Sequence, residues 1–402
     1  MATNTDGGTT ASLSNTPQAK DDYYYATEGL VRYFDVMLND LGGNAKVLWS
    51  IDNTSDDGAT DLVCKDVAGV CEYSELGAKI SLTSDGKIRY DSGPSSALNS
   101  LPAGVKAYDQ FTYAIRLSNG TLSWATVTVE ITGVNDAAII TGDDQGEISE
   151  DADPNTTSGT LVVNDVDTGE NELQPIAEGT AGDNGYGTFE VLANGQWTYT
   201  LDNGHPDVQA LAEGELVYDT ITVTSEDGTD TAVVTVAITG TNDGPVANAD
   251  SGTTSENAVL TIDVLANDTD VDNDHVLTVT AASSPAGEGT ASVVANQVRF
   301  DPGTDFDYLA VGESTTVTVS YTIQDEHGAS SSSTVEITVT DTNDTPAAIA
   351  DPASVGEDSS TSGNVGTNDT DADNGALLSY ALNDPGSAPA GLTFNPDGSW
   401  TF

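Results

Sequence analysis

Ile131-Thr132-Gly133-Val134-Asn135-Asp136, Ile238-Thr239-Gly240-Thr241-Asn242-Asp243 and Val339-Thr340-Asp341-Thr342-Asn343-Asp344 are three versions of one ending. The closing Asp residues stand 107 and 101 apart, the length of a seven-strand β-sandwich. Each ending follows a run such as Thr126-Val127-Thr128-Val129-Glu130-Ile131 or Thr334-Val335-Glu336-Ile337-Thr338-Val339. Apolar residues at every second position mark half-buried strands. Asn194-Gly195, Asp85-Gly86 and Asp397-Gly398 supply hairpin turns, because glycine reaches the positive φ those turns require. No long stretch carries a helical period. The expectation is an all-β chain of tandem sandwich modules.

The register continues past each ending. Pro245 and Pro346 follow two residues on, with Ala138 in their place at the first junction, and Asp143, Asp250 and Asp351 come five residues later. Asn15-Thr16-Pro17 and Asp22 open the chain in the same way. A Glu follows in every repeat (Glu28, Glu150, Glu256, Glu357), then an Asn-Asp pair ending at Asp40, Asp165, Asp268 and Asp369. These landmarks divide the chain into 1–16, the tail of a preceding repeat, then 17–136, 137–243, 244–344 and 345–402. The last segment stops inside its hairpin, so a partial module with exposed edges, poorly ordered or paired with another chain, is expected. Past each hairpin turn, Ile88 and Tyr90, Trp197 and Tyr199, Val298 and Phe300, and Trp400 and Phe402 alternate toward one face. They are read as core rather than as a sugar-stacking surface.

Ten Lys and Arg against 65 Asp and Glu give a net charge of −55. Nucleic acid and anionic membrane are excluded as partners, since both demand basic surface. No apolar run approaches a membrane span. An enzyme is not expected: His205, His275 and His327 are the only histidines, and they fall in separate acidic or Gly-Pro loops. Cys64 and Cys71 could close one local loop or remain thiols.

Between Glu256 and Asp268 the chain reads as a strand over Val259–Leu265. Twelve extended residues reach about 40 Å, the length of a sandwich. The Glu and the Asn-Asp pair therefore fall at opposite ends of one module, and acids from distant parts of the sequence meet at each joint. Carboxylates ~4 Å apart repel by about 4 kcal/mol at an effective dielectric of ~20. A hard cation such as Ca2+, which takes six to eight oxygens, relieves that repulsion. Asp268-Thr269-Asp270-Val271-Asp272 and Asp369-Thr370-Asp371-Ala372-Asp373 carry alternating acids without the glycine and final Glu of an EF-hand.

Asp341-Thr342-Asn343-Asp344-Thr345-Pro346 resembles the calcium-binding linker of cadherins. Thr261-Ile262-Asp263-Val264-Leu265-Ala266-Asn267-Asp268-Thr269-Asp270 and Asn395-Pro396-Asp397-Gly398-Ser399-Trp400-Thr401-Phe402 are similar to the VCBS and cadherin-like repeats of large bacterial RTX-type adhesins. The resemblance covers residues 17–402. It implies immunoglobulin-like or cadherin-like sandwiches in an extended array, secreted by the type I route to the cell surface or beyond, that project ligand-binding domains for adhesion and biofilm formation. It implies as partners calcium ions, adjacent repeats of the chain, and a cell-surface glycan or protein held through other domains. By the same resemblance the first joint uses Glu28, Asp109, Asn135, Asp136, Asp165 and Asp167. The second uses Glu150, Asp219, Asn242, Asp243, Asp268 and Asp270. The third uses Glu256, Asp325, Asp341, Asn343, Asp344, Asp369 and Asp371. Departures are Asp40-Leu41-Gly42 in place of Asp-x-Asp, Gly133 and Gly240 in place of the linker's first Asp, and Ala138 in place of its Pro. The alternative is that 17–136 binds a carbohydrate or protein ligand itself, because it carries the Cys64–Cys71 insertion, Trp49, Trp124 and Tyr23-Tyr24-Tyr25.

Overall fold

The computed structural model describes residues 18–52, 62 and 65–402. Cys64 and most of its insertion lie outside these residues, so the pairing of the two cysteines does too. The chain divides into two compact units, one of residues up to 202 with 217–238, the other of 203–216 with 239–402.

The first unit begins with β1 (Asp22–Thr27), β2 (Val31–Phe34), β3 (Lys46–Asp52), β4 (Cys71–Tyr73), β5 (Lys79–Leu82), β6 (Ile88–Asp91), β7 (Lys106–Leu117) and β8 (Leu122–Thr132). They form two four-stranded sheets, β1-β8-β7-β3 and β2-β6-β5-β4. β1 runs parallel to β8, Asp22 opposite Val127 and Thr27 opposite Thr132. Val127, Val129 and Ile131 alternate inward and meet Ile80, Ile88, Tyr90, Phe111 and Tyr113 between the sheets. A second sandwich follows. β9 (Ile139–Gly142), β10 (Gln145–Ser149), β11 (Thr156–Asn164), β12 (Ile176–Ala181), β13 (Gly187–Val191), β14 (Gln196–Leu201), β15 (Leu216–Thr224) and β16 (Thr231–Thr239) make sheets β10-β16-β15 and β12-β13-β14-β11-β9.

The second unit holds β17 (Asp250–Ser255), β18 (Leu260–Ile262), β19 (Thr278–Ser283), β20 (Thr290–Val294), β21 (Gln297–Asp301), β22 (Ser314–Gln324) and β23 (Ser330–Thr340), in sheets β17-β23-β22-β19 and β18-β21-β20. Its core repeats the pattern with Val298, Phe300, Val319, Tyr321, Ile337 and Val339. The strand expected over 259–265 is shorter: it spans Leu260–Ile262, and Val264–Ala266 forms one 3-10 turn. That turn drops Val264 into the core.

β24 (Ser362–Asn364), β25 (Thr393–Phe394) and β26 (Ser399–Thr401) form a small sheet beyond. Residues 345–402 are described throughout, yet no hydrophobic side chain among them is buried. Trp400 is half-buried and Phe402 exposed there, so this pair, read as core, is not enclosed.

Ile88, Tyr90, Trp197, Tyr199, Val298 and Phe300 are all buried, as core residues. Trp197 also hydrogen-bonds through Nε1 to the Asp143 carbonyl at 2.7 Å, and at 1% exposure its ring has no free face for a sugar.

Candidate metal centres

Three backbone hydrogen bonds recur at each joint. The linker Asp N–H donates to an acid carboxylate: Asp136 to Asp167 at 2.8 Å, Asp243 to Asp272 at 2.9 Å, Asp344 to Asp373 at 3.3 Å. The N–H of that acid donates to the acid two residues before it: Asp167 to Asp165, Asp272 to Asp270, Asp373 to Asp371. The next residue then reaches a backbone carbonyl: Thr168 N–H to Ser100, Asn273 to Ala210, Asn374 to Tyr308. A linker Asn amide closes each turn on its neighbour's carbonyl, Asn135 on Asp136, Asn242 on Asp243, Asn343 on Asp344.

At the first joint Glu28 Oε1 accepts from Val134 N–H at 2.9 Å. Single carboxylate oxygens of Glu28, Asp136 and Asp167 lie within 4.8 Å of one another, and so do those of Asp165, Glu170 and Asp227. Glu28 and Asp167 are buried. Glu28 Oε2, Asp167 Oδ1, Asp165 Oδ2 and Glu170 Oε2 are buried oxygens without a hydrogen-bond partner. Desolvation pushes the Glu28, Asp167 and Glu170 carboxyls above the usual range, and neighbouring acids add to the effect. The third joint repeats the design. Glu256 Oε1 accepts from Thr342 N–H at 2.9 Å, while Glu256 Oε2, Asp341 Oδ1 and Asp373 Oδ1 are buried and unpartnered. Asp270 Oδ2 and Asp272 Oδ1 are orphaned in the same way. Buried carboxylate oxygens with lone pairs and no donors fit a hard cation.

The structure moves several sequence assignments. Asp109 is fully buried between the sheets, accepting from Ser74 Oγ, Tyr90 Oη (2.6 Å), Leu76 N–H (2.8 Å) and Gln110 N–H (2.9 Å). Asp219 does likewise with Asn184, Gly187 and Thr220 N–H and Tyr199 Oη. Neither reaches a joint. Asp325, assigned to the third joint, accepts instead from Asn242 Nδ2 at 3.0 Å, as Asp227 accepts from Asn135 Nδ2 at 2.9 Å. Asp268 and Asp369 turn back on the start of their own repeats, taking Asn248 and Ile349 N–H at 2.6 Å; Asp40 takes Lys20 N–H at 2.8 Å. Glu150 is buried in the first unit. Asp167, Asp272 and Asp373 are thus equivalent, as are Asp165, Asp270 and Asp371. Sequence reasoning missed Glu170, Asp227, Asp272 and Asp373; the alternating acids of 268–272 and 369–373 carried the signal for the last two.

Gly133 and Gly240 are fixed by space. A Cβ on Gly133 would sit 2.3 Å from the Leu101 carbonyl oxygen, and one on Gly240 2.5 Å from that of Ala212. No Asp can occupy either place without moving backbone.

Residues 135–240 match the bacterial cadherin-like domain family, and 242–338 and 343–402 match the bacterial Ig domain family. No curated protein matches the chain. Among solved structures, protocadherin gammaB7 EC3-6 is similar at 17% identity and TM-score 0.50, over 96% of this chain and 91% of that one. Mouse cadherin-23 EC22-24 is similar at 15% identity and TM-score 0.42, over 82% of this chain and all of that one. The chain is therefore an array of immunoglobulin-like and cadherin-like domains in tandem. Such bacterial domains are typically structural, non-catalytic and extracellular. Among the described residues no helix is long and apolar enough to cross a membrane.

Proposed function

We propose that this chain is a calcium-stiffened extender of a large bacterial adhesin of the RTX type, secreted by the type I route, carrying ligand-binding domains away from the cell in adhesion and biofilm formation. One observation supports this above all: buried acid oxygens without donors recur at the joints, in one hydrogen-bonding register. At the first joint the cation would be held by Glu28, Asp136 and Asp167, with Asp165, Glu170 and Asp227 beside them. Glu28 belongs to one sandwich and Asp167 to the next, so a shared ion ties the two. Without it, their mutual repulsion and desolvation favour separation. Sites of extracellular affinity, roughly 0.1–1 mM, fill only outside the cell. Each filled site adds about 2.7 kcal/mol when calcium stands ~100-fold above its dissociation constant.

Small-angle scattering of the chain in millimolar calcium, then in chelator, tests the reading. The expected result is a longer, stiffer particle in calcium and a smaller, flexible one without it. Identical curves would end it.

A further inference from the structure

Nine of the ten Lys and Arg residues precede residue 137; Arg299 is the exception. Exposed aromatic rings are concentrated there too, and four of them lie on one face of a sheet. On β1, Tyr23 and Tyr25 point outward, 49% and 71% exposed; on β7 and β8, Tyr108 and Trp124 are 55% and 40% exposed. The strand register fixes their arrangement. Tyr25 pairs with Glu130 and Glu130 with Tyr108, so the three stand in one row across β1, β8 and β7. Neighbouring strands are ~4.8 Å apart, which sets the two tyrosines about 10 Å apart with Glu130 between. Tyr23 lies one row along and packs edge-on against Tyr25, centroids 5.3 Å apart. Its hydroxyl donates to Glu130 Oε2 at 2.5 Å, and Lys106 Nζ holds Oε1 at 2.5 Å. Gln110 and Thr128 fill the row of Tyr23, and Trp124 stands about 13 Å further along the same face of β8.

The fold does not ask for these rings. The matching row on β17, β23 and β22 is Thr253, Thr338 and Thr316, and the next is Ser251, Glu336 and Thr318. Threonine satisfies strand preference as well as tyrosine does, so the third sandwich does without the aromatic row; the second keeps one exposed ring of it, Tyr218, which like Tyr108 precedes a buried Asp.

We propose that this face of the first sandwich binds a neutral oligosaccharide of a few pyranose units. A pyranose ring presents an apolar C–H face, which stacks on an exposed aromatic ring, and a rim of hydroxyls. The exposed Lys106 ammonium and the half-buried pair Gln110 and Thr128, joined at 3.1 Å, can meet those hydroxyls, while Glu130 is buried beneath and holds Tyr23 and Lys106 in place. The three tyrosines expose on the order of 350 Å², well short of the ~800 Å² per partner of a stable protein interface or a dimer. The −55 charge of the chain repels an anionic polymer. Failure of this proposal would leave the calcium reading untouched, because no joint acid takes part.

The test uses the full chain in calcium on an array of neutral and anionic glycans, with calorimetry on cellohexaose, chitohexaose and maltohexaose. Binding to at least one neutral glycan is expected. Tyr25→Ala and Tyr108→Ala should each weaken it by roughly tenfold, and Trp124→Ala by less. Tyr218→Ala, an exposed tyrosine away from this face, should leave it unchanged, with all variants melting as the parent does. The proposal is overturned if only anionic glycans bind, if none binds, or if the double variant Tyr25→Ala/Tyr108→Ala binds as the parent does. A dimer in sedimentation that Tyr25→Ala dissolves would overturn it too, by naming a second copy as the occupant.

Discussion

Asp109 and Asp167 are both fully buried carboxylates of the first unit, and they teach opposite lessons. Between the sheets, Asp109 receives four donors, two on each oxygen. Burial and that carboxylate together push the Tyr90 phenol up. At the joint, Asp167 receives the Asp136 N–H on Oδ2, while its Oδ1 has no donor. Burial is therefore no guide to role; the count of donors is. A saturated carboxylate is part of the sandwich; under the proposed reading, an unsaturated one at a joint is completed by a cation.

The sharpest way to break this contrast is Asp109→Ala. It strands Tyr90 Oη, Ser74 Oγ and the Leu76 N–H in the core, and each buried unpaired group costs about 1–3 kcal/mol. Melting should show the first sandwich destabilised by roughly 3 kcal/mol or more, equally in calcium and in chelator. Next comes Asp167→Asn. In saturating calcium it should cost about 2–3 kcal/mol, the contribution of one filled site; in chelator it should cost nothing, since the amide removes a desolvated charge. A loss of equal size in both buffers would put Asp167 with Asp109.

Asp22 lies between the two kinds. Half-buried, with an orphaned Oδ2, it has its carboxyl pushed up to about 6 by desolvation, against the Tyr113 hydrogen bond and with help from Asp40. A raised carboxyl contributes stability that is complete below the ordinary value near 3.8 and is lost as pH rises through 6. After discounting for its exposure, Asp22→Asn should add about 1 kcal/mol at pH 7.5 and nothing at pH 3, read from denaturant midpoints. The smallest effect belongs to Glu170→Gln. His275 and Ala376 stand at its place in later repeats, each three residues past the joint acid, so its loss should weaken calcium binding by roughly threefold while the joint still closes.

The strands, and the place of Glu28 and Glu256 beside the linkers, were legible because each follows a local rule: alternation, hairpin turns, a repeated ending. The placement of acids was less so. The Asn-Asp pair ending at Asp165 looks equivalent to the one ending at Asp268, yet the Glu-to-Asp spacing is 15 in the second repeat and 12 in the third. Hydrogen bonding shifts the register by two, so Asp270 and Asp272 face the joint while Asp268 ties down Asn248. Asp109 and Asp219 were assigned to joints for want of a view across the sandwich. A signal existed: Tyr90 and Tyr199 face them, whereas Phe300, with no hydroxyl to satisfy, belongs to the repeat where Val317 is buried at the corresponding strand position. Paired changes of that kind connect residues on different strands, which no local pattern reveals.

Counting bound calcium by equilibrium dialysis, on the parent chain and on Glu28→Gln/Asp167→Asn, bears most directly on the joints. The parent should bind several ions at sub-millimolar to millimolar calcium, and the double variant should lose at least one while its sandwiches stay folded. A parent that binds no calcium, or a variant that binds as many ions as the parent, would contradict the account.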